Sequence, residues 1–276
     1  MKYCKFGLIG HPIEHSLSPA LFKAGYDGRY PYDLIPGEDF ETSYQRFMDG
    51  YDGINVTAPF KELAYAKADI VSDECRLIKA TNLLVRTPDG VKAYNSDLLG
   101  VRMWLMEILN HPSVASNKTS DFSTTLVVGC GGAGKAAAAA AVTLGMKAVL
   151  MNRNPERAVR LAEDLTGAGF DAEARPLDDF RTCFAEADII IYNIPAPIPE
   201  LTALTKEDFT PGKAKFILEA NYRDPSFDET LLAGMREANP LIQYSSGRTW
   251  LLYQALTGYE IFTEEIPDLD KMSDVL

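Results

Sequence analysis

The run Gly129-Cys130-Gly131-Gly132-Ala133-Gly134-Lys135 constrains this chain more than any other segment. A continuous apolar stretch, Thr124 to Val128, precedes it, and an alanine-rich stretch, Ala136 to Leu144, follows. Strand, glycine turn and helix in that order open a parallel βαβ unit. Gly129, Gly131 and Gly134 fit Gly-x-Gly-x-x-Gly. The glycines allow a tight turn and let the backbone approach a pyrophosphate at the helix N-terminus. The same residues also fit the Gly-x-x-x-x-Gly-Lys of a triphosphate loop. That motif needs Ser or Thr next to hold magnesium, and position 136 is Ala. The expected ligand is therefore a dinucleotide, held by Gly129, Gly131, Gly132, Ala133 and Gly134.

The following strand selects between dinucleotides. An NAD fingerprint places Asp or Glu about 20 residues on, where it accepts from the ribose hydroxyls. Here the strand Ala148 to Met151 ends in Asn152-Arg153-Asn154-Pro155-Glu156-Arg157, with no carboxylate at the strand end. Arg153 and Arg157 can bracket an additional phosphate with charge-assisted bonds. NADP is the expected cofactor, with Asn152, Arg153 and Arg157 as its ribose-phosphate side.

Alternating apolar runs and amphipathic stretches extend over the rest of the chain. Pro155 to Leu165 reads as a helix, and Asp188 to Ile191 and Lys215 to Leu218 as buried strands. Such alternation predicts a parallel sheet covered on both faces. Upstream, Cys4 to Ile9, Tyr30 to Ile35 and Gly53 to Val56 read as strands, and Phe40 to Met48 as a helix. Leu83 to Arg86 and Val91 to Tyr94 flank an Asp89-Gly90 turn and predict a hairpin. Ser18 is expected to cap a helix with Pro19 in its first turn, and Asp97 to cap a long helix through Leu109. The polar stretch His111 to Ser123 has a linker's composition. Glu264 to Leu276 is acidic and suits a peripheral tail or a short helix.

Charge and cysteine content exclude several classes. A formal net charge of -12 repels nucleic acid and anionic lipid. No run of about 18 apolar residues predicts a membrane span. Cys4, Cys75, Cys130 and Cys183 form no Cys-x-x-Cys spacing and lie apart from the histidines. No metal site is expected, and the thiols read as small buried side chains in a reducing cytoplasm.

Three polar clusters fall at strand ends or helix starts in the first hundred residues. They are Ser16-Leu17-Ser18-Pro19, Asn55 to Lys61 and Asn95-Ser96-Asp97, with Asn82 between the last two. Hydroxyls, amides, one ammonium and one carboxylate suit a polyhydroxylated acid. Hydride transfer from an alcohol needs a group to take the hydroxyl proton. Lys61 and Asp97 are the natural pair, and in contact they would titrate as a unit. A plain salt bridge is the alternative at that point.

Taken together, these motifs resemble the shikimate dehydrogenase family over nearly the whole chain. Gly10 to Pro19, Gly53 to Lys61, Ala80-Thr81-Asn82, Asn95 to Gly100 and Gly247 to Gln254 carry the resemblance in order. It implies Ser16 and Ser18 on the substrate carboxylate, Thr57, Asn82, Tyr222 and Gln254 as further substrate ligands, and Lys61 with Asp97 as catalytic residues. It implies reversible conversion of 3-dehydroshikimate and NADPH to shikimate and NADP, in a cleft between two domains. The implied fold class is α/β. Residues 1–100 with 245–276 would form an α/β substrate domain, and 101–244 a Rossmann-like doubly wound parallel-sheet domain. The implied partner is the small-molecule substrate, without nucleic acid or membrane, in a monomer or homodimer. A quinate-acting relative using NAD or NADP, or a non-catalytic dinucleotide-binding regulator, are the competing functions. Departures from the family pattern gather on the cofactor side. Asn154 stands beside Arg153 in place of Thr or Ser, and 193–199 lacks the expected Thr-Pro and Gly-Met. Within the substrate motifs, Ser96 replaces a Thr and keeps the hydroxyl.

Overall fold

The computed structural model describes residues 4–111, 124–209 and 211–276. Apart from His111, the expected linker lies outside them. The chain divides into two compact units, one running to Gly100 and resuming over Leu251–Leu276, the other spanning Val101–Trp250.

The first unit runs β1 (Phe6–Gly10), α1 (Ser18–Gly25), β2 (Tyr32–Pro36), α2 (Phe40–Gly50), β3 (Gly53–Val56), α3 (Lys61–Lys67), β4 (Ile70–Val71), α4 (Asp73–Ile78), β5 (Leu83–Thr87) and β6 (Gly90–Tyr94), then the start of α5 (Ser96–Leu109). Its six strands lie in the order β2-β1-β3-β5-β6-β4. β1, β2 and β3 are parallel, β5 runs antiparallel to β3 and to β6 in the expected hairpin, and β6 pairs parallel with β4. Gly90 takes the left-handed backbone that the hairpin turn requires, at φ 124°. Adjacent residues on a strand face opposite ways, so the sheet has a core on each side. Leu84 packs with Ile9, Phe47, Ile54 and Val56, while Leu83 packs with Phe6, Phe22 and Tyr259.

Two caps differ from expectation. Ser18 is the first residue of α1 rather than its cap, and no side chain caps that helix. α5 is capped by Asn95, whose Oδ1 accepts from the Leu98 N–H at 3.0 Å. Asp97 follows as the second residue of the helix, in its first turn.

The second unit runs β7 (Thr124–Val128), α6 (Gly132–Thr143), β8 (Lys147–Met151), α7 (Pro155–Gly167), β9 (Ala172–Ala174), α8 (Phe180–Glu186), β10 (Ile189–Tyr192), α9 (Pro199–Thr202), β11 (Lys215–Glu219), α10 (Glu229–Ala238) and β12 (Ile242–Ser245). The order β12-β11-β10-β7-β8-β9 is parallel throughout. The chain winds outward from β7 in one direction, then from β10 in the other. The parallel sheet expected from the alternating pattern is present, in the doubly wound order that the family resemblance implies. Lys215 was expected only as the start of a strand. It is fully buried, and its ammonium donates to the carbonyls of Phe184, Ala185 and Ala187, closing the C-terminus of α8.

α11 (Gly247–Thr263) and α12 (Leu269–Ser273) complete the chain. The acidic end is thus a short helix, and its Met272 is buried in the core that contains Phe6 and Tyr259. Three cysteines are buried and Cys4 is half-buried, so the fourth departs from the uniform burial expected. His111 is half-buried with its ring edge-on to Phe216 at 5.8 Å. Among the described residues no helix is long and apolar enough to cross a membrane.

Candidate active site

The sheet of the first unit collects the polar clusters at one edge. β1, β3 and β6 run the same way and end there, while β5, running opposite, begins there. The register aligns Asn55 with Leu83, and Leu83 with Tyr94. Asn82, one residue before β5, and Asn95 to Asp97, just after β6, therefore lie beside Thr57, one residue past β3. Open α/β sheets bind ligands outside the carboxyl ends of their parallel strands. Backbone bonds lock the edge. The Thr57 N–H donates to the Ile9 carbonyl at 3.0 Å, the Val56 N–H to Asn82 at 2.8 Å and the Thr81 N–H to Lys61 at 3.0 Å.

Lys61, the first residue of α3, donates from Nζ to Asp97 Oδ2. Their side chains are 18% and 14% exposed. The pair is withdrawn from bulk water yet open enough for a ligand to touch. Desolvation strengthens the interaction between the two charges and any alcohol placed against them.

Asn82 is buried and its amide orientation is determined. Its Oδ1 accepts from the Ser96 backbone N–H at 2.7 Å, which leaves Nδ2 to donate to Ser96 Oγ at 3.0 Å. Ser96 Oγ then donates to Gln254 Oε1 at 3.3 Å, and Gln254 Nε2 donates to the Leu251 carbonyl at 3.0 Å. Asn82 and Gln254, two expected substrate ligands, are thus joined through Ser96. Gly258 is matched to this arrangement, because a Cβ there would come within 3.0 Å of Ser96 Oγ. Asn55 adds a second anchor. Its Oδ1 accepts from the Tyr32 hydroxyl at 2.7 Å, and burial pushes that phenol well above its usual range, so it remains a donor.

Ser16 Oγ accepts from the Ser18 N–H at 3.2 Å and donates to Ser18 Oγ at 3.1 Å. The two hydroxyls expected on a carboxylate are neighbours at the start of α1. His15 is exposed, as is His11. Tyr222 belongs to the second unit, in the turn after β11, with the Arg223 guanidinium 6.0 Å from its ring centre.

The glycine loop of the second unit is built from backbone. Gly129 has φ 97°, and its N–H donates to the Met151 carbonyl at 2.7 Å. A Cβ on Gly134 would lie 1.7 Å from the Gly129 carbonyl oxygen, so only glycine fits. Gly131 is different: a Cβ there would meet nothing within 4 Å. The protein leaves that side open where a pyrophosphate would approach. No side chain caps α6, so the first-turn N–H groups contributed by Gly132, Ala133 and Gly134 remain available to an anion. The loop fits a dinucleotide pyrophosphate. Burial pushes the Cys130 thiol within it up to about 12.

Asn152 Oδ1 accepts from the Cys130 N–H at 2.9 Å, tying the end of β8 to the loop. Its Nδ2 donates to the Asn154 carbonyl at 2.9 Å, and Asn154 Oδ1 caps α7 at the Glu156 N–H. The departure at Asn154 therefore serves the helix. Arg153 and Arg157 are exposed and make no ion pair among the described residues. Two guanidinium groups at the end of the second strand without a protein carboxylate suit a phosphate ligand.

Sequence reasoning did not assign Ser96 or Asn95 these tasks. The hydroxyl at Ser96 was visible, but its partners come from remote segments. For Asn95, the signal was an Asn three residues before the first buried leucine of the helix.

A glycine loop on the parallel sheet of the second unit, and a semi-buried Lys–Asp pair among hydroxyls and amides in the first, define a dinucleotide-linked dehydrogenase acting on a polar alcohol. Models of the shikimate dehydrogenase substrate binding domain and of shikimate / quinate 5-dehydrogenase match residues 8–84 and 113–217. The chain belongs to the shikimate dehydrogenase family. The shikimate dehydrogenase (NADP(+)) of Moorella thermoacetica is 31% identical, over 98% of this chain and 91% of that protein. The shikimate 5-dehydrogenase of Thermus thermophilus, solved with NADP(H) and shikimate, is 25% identical with a TM-score of 0.77, covering 99% of this chain and 98% of that one. A quinate dehydrogenase of Corynebacterium glutamicum, solved with NAD, shares the fold at a TM-score of 0.81 and 24% identity, covering 99% and 98%.

Proposed function

We propose that this chain catalyses the reversible NADP-linked reduction of 3-dehydroshikimate to shikimate. The observation that carries the reading is the Lys61–Asp97 pair, semi-buried at the carboxyl edge of the first sheet beside the Asn82–Ser96–Gln254 chain. NADP, when bound, supplies the hydride acceptor and its reduced form the donor. Everything else is the work of this chain's own residues. Ser16 and Ser18 present hydroxyls to the substrate carboxylate, with Thr57 and Tyr222 as further substrate contacts. Asn82 and Gln254 hold ring hydroxyls with amides whose orientation Ser96 sets. Lys61 and Asp97 act together on the reacting oxygen, taking the proton during oxidation and returning it during reduction. Gly129 to Gly134 receive the pyrophosphate, and Arg153 and Arg157 the ribose phosphate. The reading describes a cytoplasmic biosynthetic enzyme whose partner is its small-molecule substrate.

The test follows reduced nicotinamide by absorbance while shikimate or quinate is added with NADP or NAD. Highest kcat/KM with shikimate and NADP is expected, because sites that hydrogen-bond a hydroxyl discriminate strongly between analogues. Higher efficiency with quinate would overturn the substrate, and higher efficiency with NAD the cofactor.

A further inference from the structure

β10 ends at Tyr192, and residues 193–199 continue as Asn-Ile-Pro-Ala-Pro-Ile-Pro. Each of the prolines locks its own φ and restricts the residue before it. Tyr192 is fully buried, with its ring edge-on to Phe227 at 5.5 Å. Its hydroxyl donates to the Ala196 carbonyl at 2.9 Å and accepts from the Ile198 N–H at 3.1 Å. One phenol thus closes the loop from inside. Burial raises that phenol to about 12, so it keeps its proton and goes on donating to Ala196.

A second brace comes from outside. Asn221 Nδ2 donates to the Pro195 carbonyl at 3.2 Å and to the Asp224 carbonyl at 2.6 Å. It ties this loop to the turn that carries Tyr222. The buried Glu219 holds the far end of that turn. It accepts from the Ser226 N–H at 2.5 Å, the Phe227 N–H at 3.3 Å and the Tyr244 hydroxyl at 2.8 Å.

The strand order says what these braces serve. β10 lies on the opposite side of β7 from β8. A dinucleotide with its pyrophosphate on the loop after β7 and its adenosine phosphate at the end of β8 extends its other half over β10. We propose that Tyr192 is a positioning residue for the nicotinamide half of the dinucleotide, holding 193–199 in its receptive shape before the ligand arrives. This rests on the dinucleotide reading of the glycine loop. It gives the missing Thr-Pro and Gly-Met a physical replacement: proline stiffness and an internal phenol in place of the expected side chains. Ordering done in advance is not charged to binding.

Calorimetric titration of Tyr192→Phe with NADP and with adenosine 2′,5′-bisphosphate, which lacks the nicotinamide half, tests the assignment. Removing the hydroxyl leaves a buried carbonyl and N–H unpaired, so NADP should bind about tenfold more weakly. The bisphosphate should bind within about twofold of wild type, since it reaches only the adenosine side. Asn221→Ser, which removes the outer brace and leaves the core intact, should show the same split at smaller size. Equal effects on the two ligands, including no effect on either, in the folded variants would overturn the proposal. Wild-type protein that binds neither ligand would overturn the dinucleotide reading itself, a distinguishable outcome.

Discussion

Both units place their candidate ligand-binding groups at the carboxyl edge of a six-stranded sheet, but they build with different material. In the first unit the working groups are side chains: an ammonium, a carboxylate, amides and hydroxyls, each aimed by the next. In the second they are backbone: N–H groups exposed because glycines keep Cβ atoms out of the way. A side-chain site can do proton chemistry but depends on every partner being in place. A backbone site offers fixed dipoles and tolerates no added bulk. The difference teaches where each function is vulnerable.

Exchange of Lys61 for Met should produce the largest effect. Turnover should fall by about 10²–10⁴-fold, the usual worth of a positioned acid or base. NADP affinity, measured by fluorescence titration, should stay within about twofold, because no backbone donor is altered. A Lys61→Met enzyme that loses NADP binding as well would break the separation between the two units.

Smaller and opposite in kind are the effects expected at two glycines. Gly134→Ala drives a Cβ into the Gly129 carbonyl and should cost about 1–3 kcal/mol of stability in urea unfolding, with weakened NADP binding. Gly131→Ala has room in the protein and should leave stability within about 0.5 kcal/mol. It should still raise the KM for NADP, because its methyl occupies the space kept for the ligand. Equal stability losses at the two positions would show that the loop is shaped by packing alone.

Asn95→Ala should have the smallest effect on the reaction. Losing the α5 cap should cost about 1 kcal/mol, read as a fall of a few degrees in Tm. Because α5 carries Asp97, a modest loss of kcat should accompany it without a change in the KM for NADP. A cost equal to that of a surface substitution would mean that Ser96 and its partners hold the helix start unaided.

Legibility followed the range of the interactions. The glycine loop could be read because strand, turn and helix are consecutive and each glycine answers a local demand. The hairpin at Gly90 and the strand β7 were legible for the same reason. Ser18 and Asp97 were expected as caps because both residue types cap helices well. The register instead made Ser18 a partner of Ser16 and gave the cap of α5 to Asn95. Lys215 offered no signal at all. A lysine is normally exposed, and only the three carbonyls at the end of α8 make its burial tolerable.

The sequence by itself determined the alternation that makes an α/β chain, the bend that can cradle a pyrophosphate, the arginines in place of an acidic residue, and the inventory of polar groups. These depend on residues close together in the chain. Tertiary structure alone decided which of those groups meet: Lys61 with Asp97, Asn82 with Ser96, Ser96 with Gln254 at a separation of 158 residues, and Tyr192 with the far side of its own loop. Such pairings are set by strand register and by burial, which spacing along a chain does not encode.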